Sequence, residues 1–297
     1  MSIPDQDPIV VAPSPTPFRD DDSVDYAAIE WNVQRWLDTP LSGFVLNSEN
    51  GEESFLSEPE RLEIVHSVNR ARGDHKFIIG GIDSPSISDT LRTAEALVAA
   101  GVELIRVRIP RLTANVRGYF EQVVPRAPAP VVIIHQMAPG SFLSSLSSIG
   151  APAEVIGDLI AMDNVFGYIA STDIRFESRV RQFIPPGKRF WMGNASVLLP
   201  GAVMGANGAC MMLGNVAPQV CHDILHLAMQ GEITKAHELQ TRILEADWQI
   251  LSRRAAGLKT ALNLLGFDAG LPRAPSRPCD ETDIERIRAA MQNAGLI

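Results

Sequence analysis

Eight times between residues 9 and 229 the chain repeats one pattern, a short apolar run followed by a stretch with helical spacing of apolar residues. The runs fall at 9–12, 43–47, 77–80, 104–109, 131–135, 165–170, 190–192 and 210–213. Helical patterns follow at 25–37, 57–68, 89–100, 119–124, 153–162, 176–183, 196–204 and 218–229. Runs this short and this predominantly apolar are expected of strands buried on both faces. Alternation with helices implies parallel strands joined by crossovers. Eight units over about 225 residues predict an α/β fold of the (β/α)8 TIM-barrel type, although an open doubly wound sheet satisfies the same count. After Gly231 strands cease, and 233–254, 255–265 and 282–294 read as helices. The expected organisation is a barrel over 1–231 and a C-terminal helical region over 232–297.

Composition narrows the partners. A net charge of -9, a pI near 5.2 and no basic run argue against a nucleic-acid ligand, which demands concentrated positive charge. No segment has the roughly 18 to 20 apolar residues of a membrane span. Three cysteines without a CxxC do not make a disulfide framework, and the acidic, proline-bearing start does not read as a secretory signal. A reducing, cytoplasmic setting is expected.

The stretch 43–61, GFVLNSENGEESFLSEPER, carries the first chemistry. A buried strand ends in a turn with Glu49, Glu52 and Glu53, and Ser57 with Glu60 three residues on forms a capping box for the next helix. In parallel α/β architectures sites are built at such carboxyl ends of strands.

The turns are specific in order and spacing. They include Thr16-Pro17-Phe18, Val24-Asp25, Gly51-Glu52 with Leu56-Ser57 and Glu60-Arg61, Gly80-Gly81, Ala100-Gly101 and Pro110. Further on come Gly167, Gly193, Gly205-Ala206, Gly208, Asn215, Pro218, Lys259, Gly266, Arg273 and Pro275. With these the chain resembles, nearly end to end, the dihydrodipicolinate synthase and N-acetylneuraminate lyase family of class I aldolases and hydro-lyases. The resemblance implies a barrel with C-terminal helices, a small oxo- or hydroxy-acid substrate, no cofactor, and a homo-oligomer, either a dimer or a tetramer built from dimers.

Departures from the family pattern matter more than matches. Strand six of the family reads G-x-K-[DE]-[ST], its lysine forming a Schiff base; here Gly167-Tyr168-Ile169-Ala170-Ser171 puts Ile169 at the lysine position. Isoleucine can neither attack a ketone nor supply an iminium electron sink. The four lysines, Lys76, Lys188, Lys235 and Lys259, lie before strands or in the C-terminal helices, away from the expected site. The family's carboxylate-binding G-[TS]-T-G-E turn is Ser48-Glu49-Asn50-Gly51-Glu52, so Glu49 disfavours an ordinary pyruvate pose. Glu52 reads as the structural glutamate of that turn.

The proton-relaying tyrosine of strand five falls on His135 or Ile134, and His135 is preferred because a polar residue ending a buried strand needs a reason. The expected catalytic pair is therefore His135 and Glu49, by a mechanism without a Schiff base. Ser48, Asn50, Arg111, Ile169, Asn194 and Cys210 are expected to contact substrate. Arg106 and Arg108 share one face of strand four, and the salt-bridged structural reading is preferred to an anion-binding one. His222 and His226 have zinc-ligand spacing but no third ligand, and no metal site is expected. Two other readings stay open: a catalytically inactive member that binds a metabolite or protein, and metal-assisted aldol chemistry with Glu49 and His135 as ligands.

Overall fold

A computed structural model describes residue 3 and residues 6–110, 115–135, 151–171 and 173–297. Eight parallel strands stand in sequential order: β1 (Ile9–Pro13), β2 (Gly43–Leu46), β3 (Phe77–Ile82), β4 (Leu104–Arg108), β5 (Val131–His135), β6 (Val165–Ala170), β7 (Arg189–Met192) and β8 (Gly208–Cys210). Pairing of Ile9 with Gly208 and Val11 with Cys210 joins β8 to β1, so the sheet closes and the open-sheet alternative falls.

Eight helices, one after each strand, surround it: α1 (Tyr26–Leu37), α2 (Glu58–Arg72), α3 (Ile87–Ala99), α4 (Val116–Val123), α5 (Ala153–Ile160), α6 (Ile174–Phe183), α7 (Leu198–Val203) and α8 (Pro218–Met229). Then come α9 (Ile233–Leu251), α10 (Arg254–Leu264) and α11 (Glu281–Asn293). The fold is the expected TIM barrel with C-terminal helices. None of the described helices is long and apolar enough to cross a membrane.

Local chemistry sets the boundaries. Ser57 caps α2 by accepting from the Glu60 amide, while the Ser57 amide donates to the Glu60 carboxylate at 2.7 Å. Such a cap stabilises a helix by about 1 kcal/mol. Strand eight differs from expectation, running from Gly208 to Cys210 instead of over 210–213. A Cβ at Gly208 would sit 2.5 Å from Trp191 Cδ1, so the strand begins on a residue that a search for apolar runs passes over. Beyond it Met212–Asn215 tightens into a 3-10 turn, and Asn215 Nδ2 donates to the Met212 and Pro13 carbonyls at 3.0 Å each.

Strands apolar on both faces feed two cores. Val11, Val45, Ile79, Ile134, Ile169 and Trp191 belong to the barrel interior, and a larger cluster fills the space between strands and helices. Each fully buried side chain of this size contributes about 1.5–3 kcal/mol.

The C-terminal helices are clasped onto the loop after β2. Lys259 Nζ on α10 donates to Glu52 Oε1 at 2.6 Å and to the Leu271 carbonyl at 2.8 Å, and the Arg273 amide donates to Glu52 Oε2 at 3.0 Å. Glu52, with φ of 58°, is thus the structural glutamate expected of this turn. Burial pushes the Lys259 ammonium down to about 8 despite the attraction of Glu52.

Candidate active site

The carboxyl ends of the strands surround a cavity of about 270 Å³. The turn after β2 supplies Ser48, Glu49 and Asn50, and β4 supplies Arg106. Ile134 comes from β5, Ser171 follows β6, Asn194 follows β7, and Cys210, Met211 and Met212 come from β8 and its turn. Asp247 and Leu251 of α9 and Arg254 of α10 complete the wall. The helices beyond Gly231 therefore build part of the site.

Among the described residues, Arg106 is the buried cation of this cavity. Strand alternation sends Leu104, Arg106 and Arg108 inward, and Gly81 makes room: a Cβ there would lie 2.5 Å from Arg106 Nη2. Arg106 Nη2 donates to Glu53 Oε2 at 3.2 Å and to the Asn47 carbonyl at 3.5 Å. Arg108 pairs with the other Glu53 oxygen at 2.9 Å and with Asp83. Both arginines are salt-bridged, as in the preferred reading, yet they face the barrel interior and Arg106 reaches the cavity wall. Its Nε–H has no partner among the described protein atoms, and neither does Ser48 Oγ. Such groups suit a small anionic ligand.

Two carboxyl groups face the cavity from different settings. Glu49 is half exposed, and its Oε1 lies 3.5 Å from Arg254 Nη1. Asp247 is 2% exposed. The Ser196 hydroxyl donates to Asp247 Oδ2, but burial outweighs that bond and pushes the Asp247 carboxyl above its ordinary value. Asn194 is partly engaged, its Oδ1 accepting from the Ser196 amide at 2.9 Å. Burial pushes the Cys210 thiol up to about 12, so it lines the cavity as a neutral group.

The expectation for His135 needs correcting. On β5 the inward residues are Val132 and Ile134; His135 points the other way, with its ring centroid 5.4 Å from that of Phe176 on α6. Of the two strand-five candidates, Ile134 is the one on the cavity wall. With His135 facing α6, the expected His135–Glu49 pair is not assembled, nor is a metal site made from it. Among the described residues no group of three or more His, Cys, Asp or Glu side chains could hold a metal. His222 and His226 stack on α8, with centroids 5.7 Å apart.

Ile169 is fully buried in the interior apolar layer and does not line the cavity. Arg111 lies outside the described residues. All four lysine amines are engaged elsewhere. Lys76 binds the Thr39 and Leu41 carbonyls, Lys188 those of Met162 and Val165, Lys235 pairs with Glu232, and Lys259 is held by Glu52.

Sequence reading missed Asp247, Arg254 and Ser171. For Asp247 a signal existed, because Ala236, Gln240, Ile243, Asp247 and Ile250 recur at the spacing of one helix face. Two polar residues on an otherwise apolar stripe ask for partners.

The model of the dihydrodipicolinate synthetase family matches residues 8–294. The chain is 26% identical over 288 residues to the 4-hydroxy-tetrahydrodipicolinate synthase of Archaeoglobus fulgidus, covering 95% of this chain and 96% of that one. It is 28% identical to an uncharacterized DapA-like lyase of Halobacterium salinarum, over 97% of this chain and 94% of the other. Among solved structures, a putative dihydrodipicolinate synthetase from Pseudomonas aeruginosa superposes with a TM-score of 0.87 at 24% identity, covering 96% of this chain and 99% of that one. For N-acetylneuraminate lyase from Fusobacterium nucleatum the TM-score is 0.82 at 20% identity, with 96% and 98% covered.

Proposed function

Since this chain belongs to the dihydrodipicolinate synthetase family, we propose that it is a lyase or hydro-lyase acting on a small oxo- or hydroxy-acid without a Schiff base. One observation carries the reading. Ile169 fills the strand-six position, and the four lysine amines are bound to carbonyls or carboxylates away from the cavity. A mechanism here has no amine to condense with a ketone.

The cavity offers another set of tools. Arg106, with an unpartnered Nε–H, anchors the substrate carboxylate or steadies negative charge developing on its carbonyl oxygen. Ser48, Asn50 and Asn194 orient polar groups at the rim, and Glu49 moves a proton there, its position beside Arg254 setting its direction. The carboxylate-binding role shifts from the turn after β2, where Glu49 repels an anion, to the arginine of β4.

The test is borohydride reduction after incubation with pyruvate and longer 2-oxo acids, followed by intact-mass measurement. No adduct is expected, and a stable adduct on any lysine overturns the proposal. Thermal-shift profiling with the same acids separates a lyase from a binder, since a rise in melting temperature without turnover supports the inactive-binder reading.

A further inference from the structure

We propose that Asp247, contributed by α9, is the base that removes the proton from the carbon adjacent to the ketone of a 2-oxo acid held by Arg106. This rests on the lyase reading above and assigns its carbon-acid step to a helix outside the barrel. Asp247 lines the same cavity as Arg106 and Ser48, and is almost completely withdrawn from solvent.

A purely structural role explains it poorly. Gln240, two turns earlier on the same face, already fastens α9 to the loop after β7 and the start of α7: its Nε2 donates to the Ala195 carbonyl at 2.9 Å and its Oε1 accepts from the Leu199 amide at 3.0 Å. An amide does that work without a buried charge. Asp247 repeats the fastening through Ser196 with a carboxyl group, at the point where α9 meets the cavity.

Its surroundings keep it basic. The groups facing it are the Ser196 hydroxyl, the buried Cys221 thiol of α8, and across the cavity Arg106, Glu49 and Arg254. Cys221 is pushed well above its ordinary value by burial and by Asp247, so it stays a neutral thiol. Unlike Glu52 and Glu53, Asp247 has no cation in an ion pair with it among the described residues. A dry carboxylate whose proton affinity is raised in this way is suited to take a proton from carbon. In the step, the C3–H bond breaks and its proton passes to Asp247. The electron pair forms the C2–C3 double bond, and the carbonyl π electrons move onto the oxygen facing the Arg106 guanidinium. The enolate then takes a proton back or goes on to the bond-making or bond-breaking partner.

Exchange of C3 protons for deuterium measures this step directly. Pyruvate and 2-oxobutyrate are incubated with the full-length protein in D2O across a pH series and followed by proton NMR. Wild-type protein is expected to exchange both, with a rate that rises as Asp247 ionises, at a pH above the ordinary aspartate value. Asp247→Asn, which keeps a Ser196 contact, is expected to slow exchange about 100-fold or more at an unchanged melting temperature. Ser196→Ala removes a bond that holds the Asp247 proton affinity down, so its exchange profile is expected to move to higher pH. Exchange kept by Asp247→Asn, or a Ser196→Ala profile that does not move, overturns the assignment to Asp247 and leaves the lyase reading standing. If Asp247→Asn does not fold, the Ser196→Ala profile decides alone. Absence of exchange by the wild type with both acids overturns this assignment, while the lyase reading is decided separately by the borohydride and thermal-shift experiments.

Discussion

The turn after β2 and the inner face of α9 both bury carboxyl groups, and they treat them in opposite ways. In the turn, Glu52 meets Lys259 at 2.6 Å and Glu53 is shared between Arg106 and Arg108, so every buried negative charge has a cation. On α9, Asp247 is buried as deeply but has the Ser196 hydroxyl as its partner and, among the described residues, no cation paired with it. Desolvated charges are expensive, and paired ones hold structures together once both partners are in place. An unpaired one adds little to the fold, which makes it a candidate for chemistry.

Breaking a pair in the first region should have the largest effect. Lys259→Met leaves Glu52 buried without its cation and should lower unfolding free energy by about 3–5 kcal/mol, read by chemical denaturation. A loss below about 1 kcal/mol would erase the contrast between the two regions. Next is Glu60, at the start of α2, whose carboxylate meets Arg273 at 2.7 Å. The Arg273 guanidinium holds the Glu60 carboxyl down to about 2, against 4.5 ordinarily. A depressed carboxylate contributes stability that is present above pH 4.5 and is lost as pH falls towards 2. Allowing for solvent screening, about 1–2 kcal/mol should disappear across that window, and Glu60→Gln should flatten this part of the pH–stability curve. The smallest change is predicted for the second region: Asp247→Asn should move stability by less than about 1 kcal/mol in either direction, because it removes an uncompensated buried acid while keeping a polar partner for Ser196.

The same contrast explains what could be read from the chain. The apolar run at 131–135 marks β5 to the residue, and 218–229 marks α8 equally well. Which face of β5 looks inward was hidden, because a parallel strand is buried on both sides and its alternation carries no polarity. Ile134 and His135 are both buried, and only the closed sheet distinguishes the one on the cavity from the one against Phe176. His135→Leu should therefore leave C3 exchange intact in the NMR assay. Arg106 was visible as a residue sharing a face with Arg108, but its reach into the cavity depends on the bare backbone of Gly81 on the neighbouring strand. Asp247 was separated from Glu49 by nearly two hundred positions; the spacing on α9 marked it as a polar residue in need of a partner but did not tie it to the barrel mouth.

A cavity wall supplied by α9 and α10 has a consequence for how the protein matures. Synthesis proceeds from the N-terminus, and all eight strands have been made before Ile233. A nascent chain paused there, or one clipped at that point by a protease, contains every barrel element and lacks Asp247, Leu251 and Arg254. On the proposed reading, competence for the reaction thus waits on helices made after the barrel strands, and a product shortened there carries an unfinished site on an otherwise recognisable scaffold.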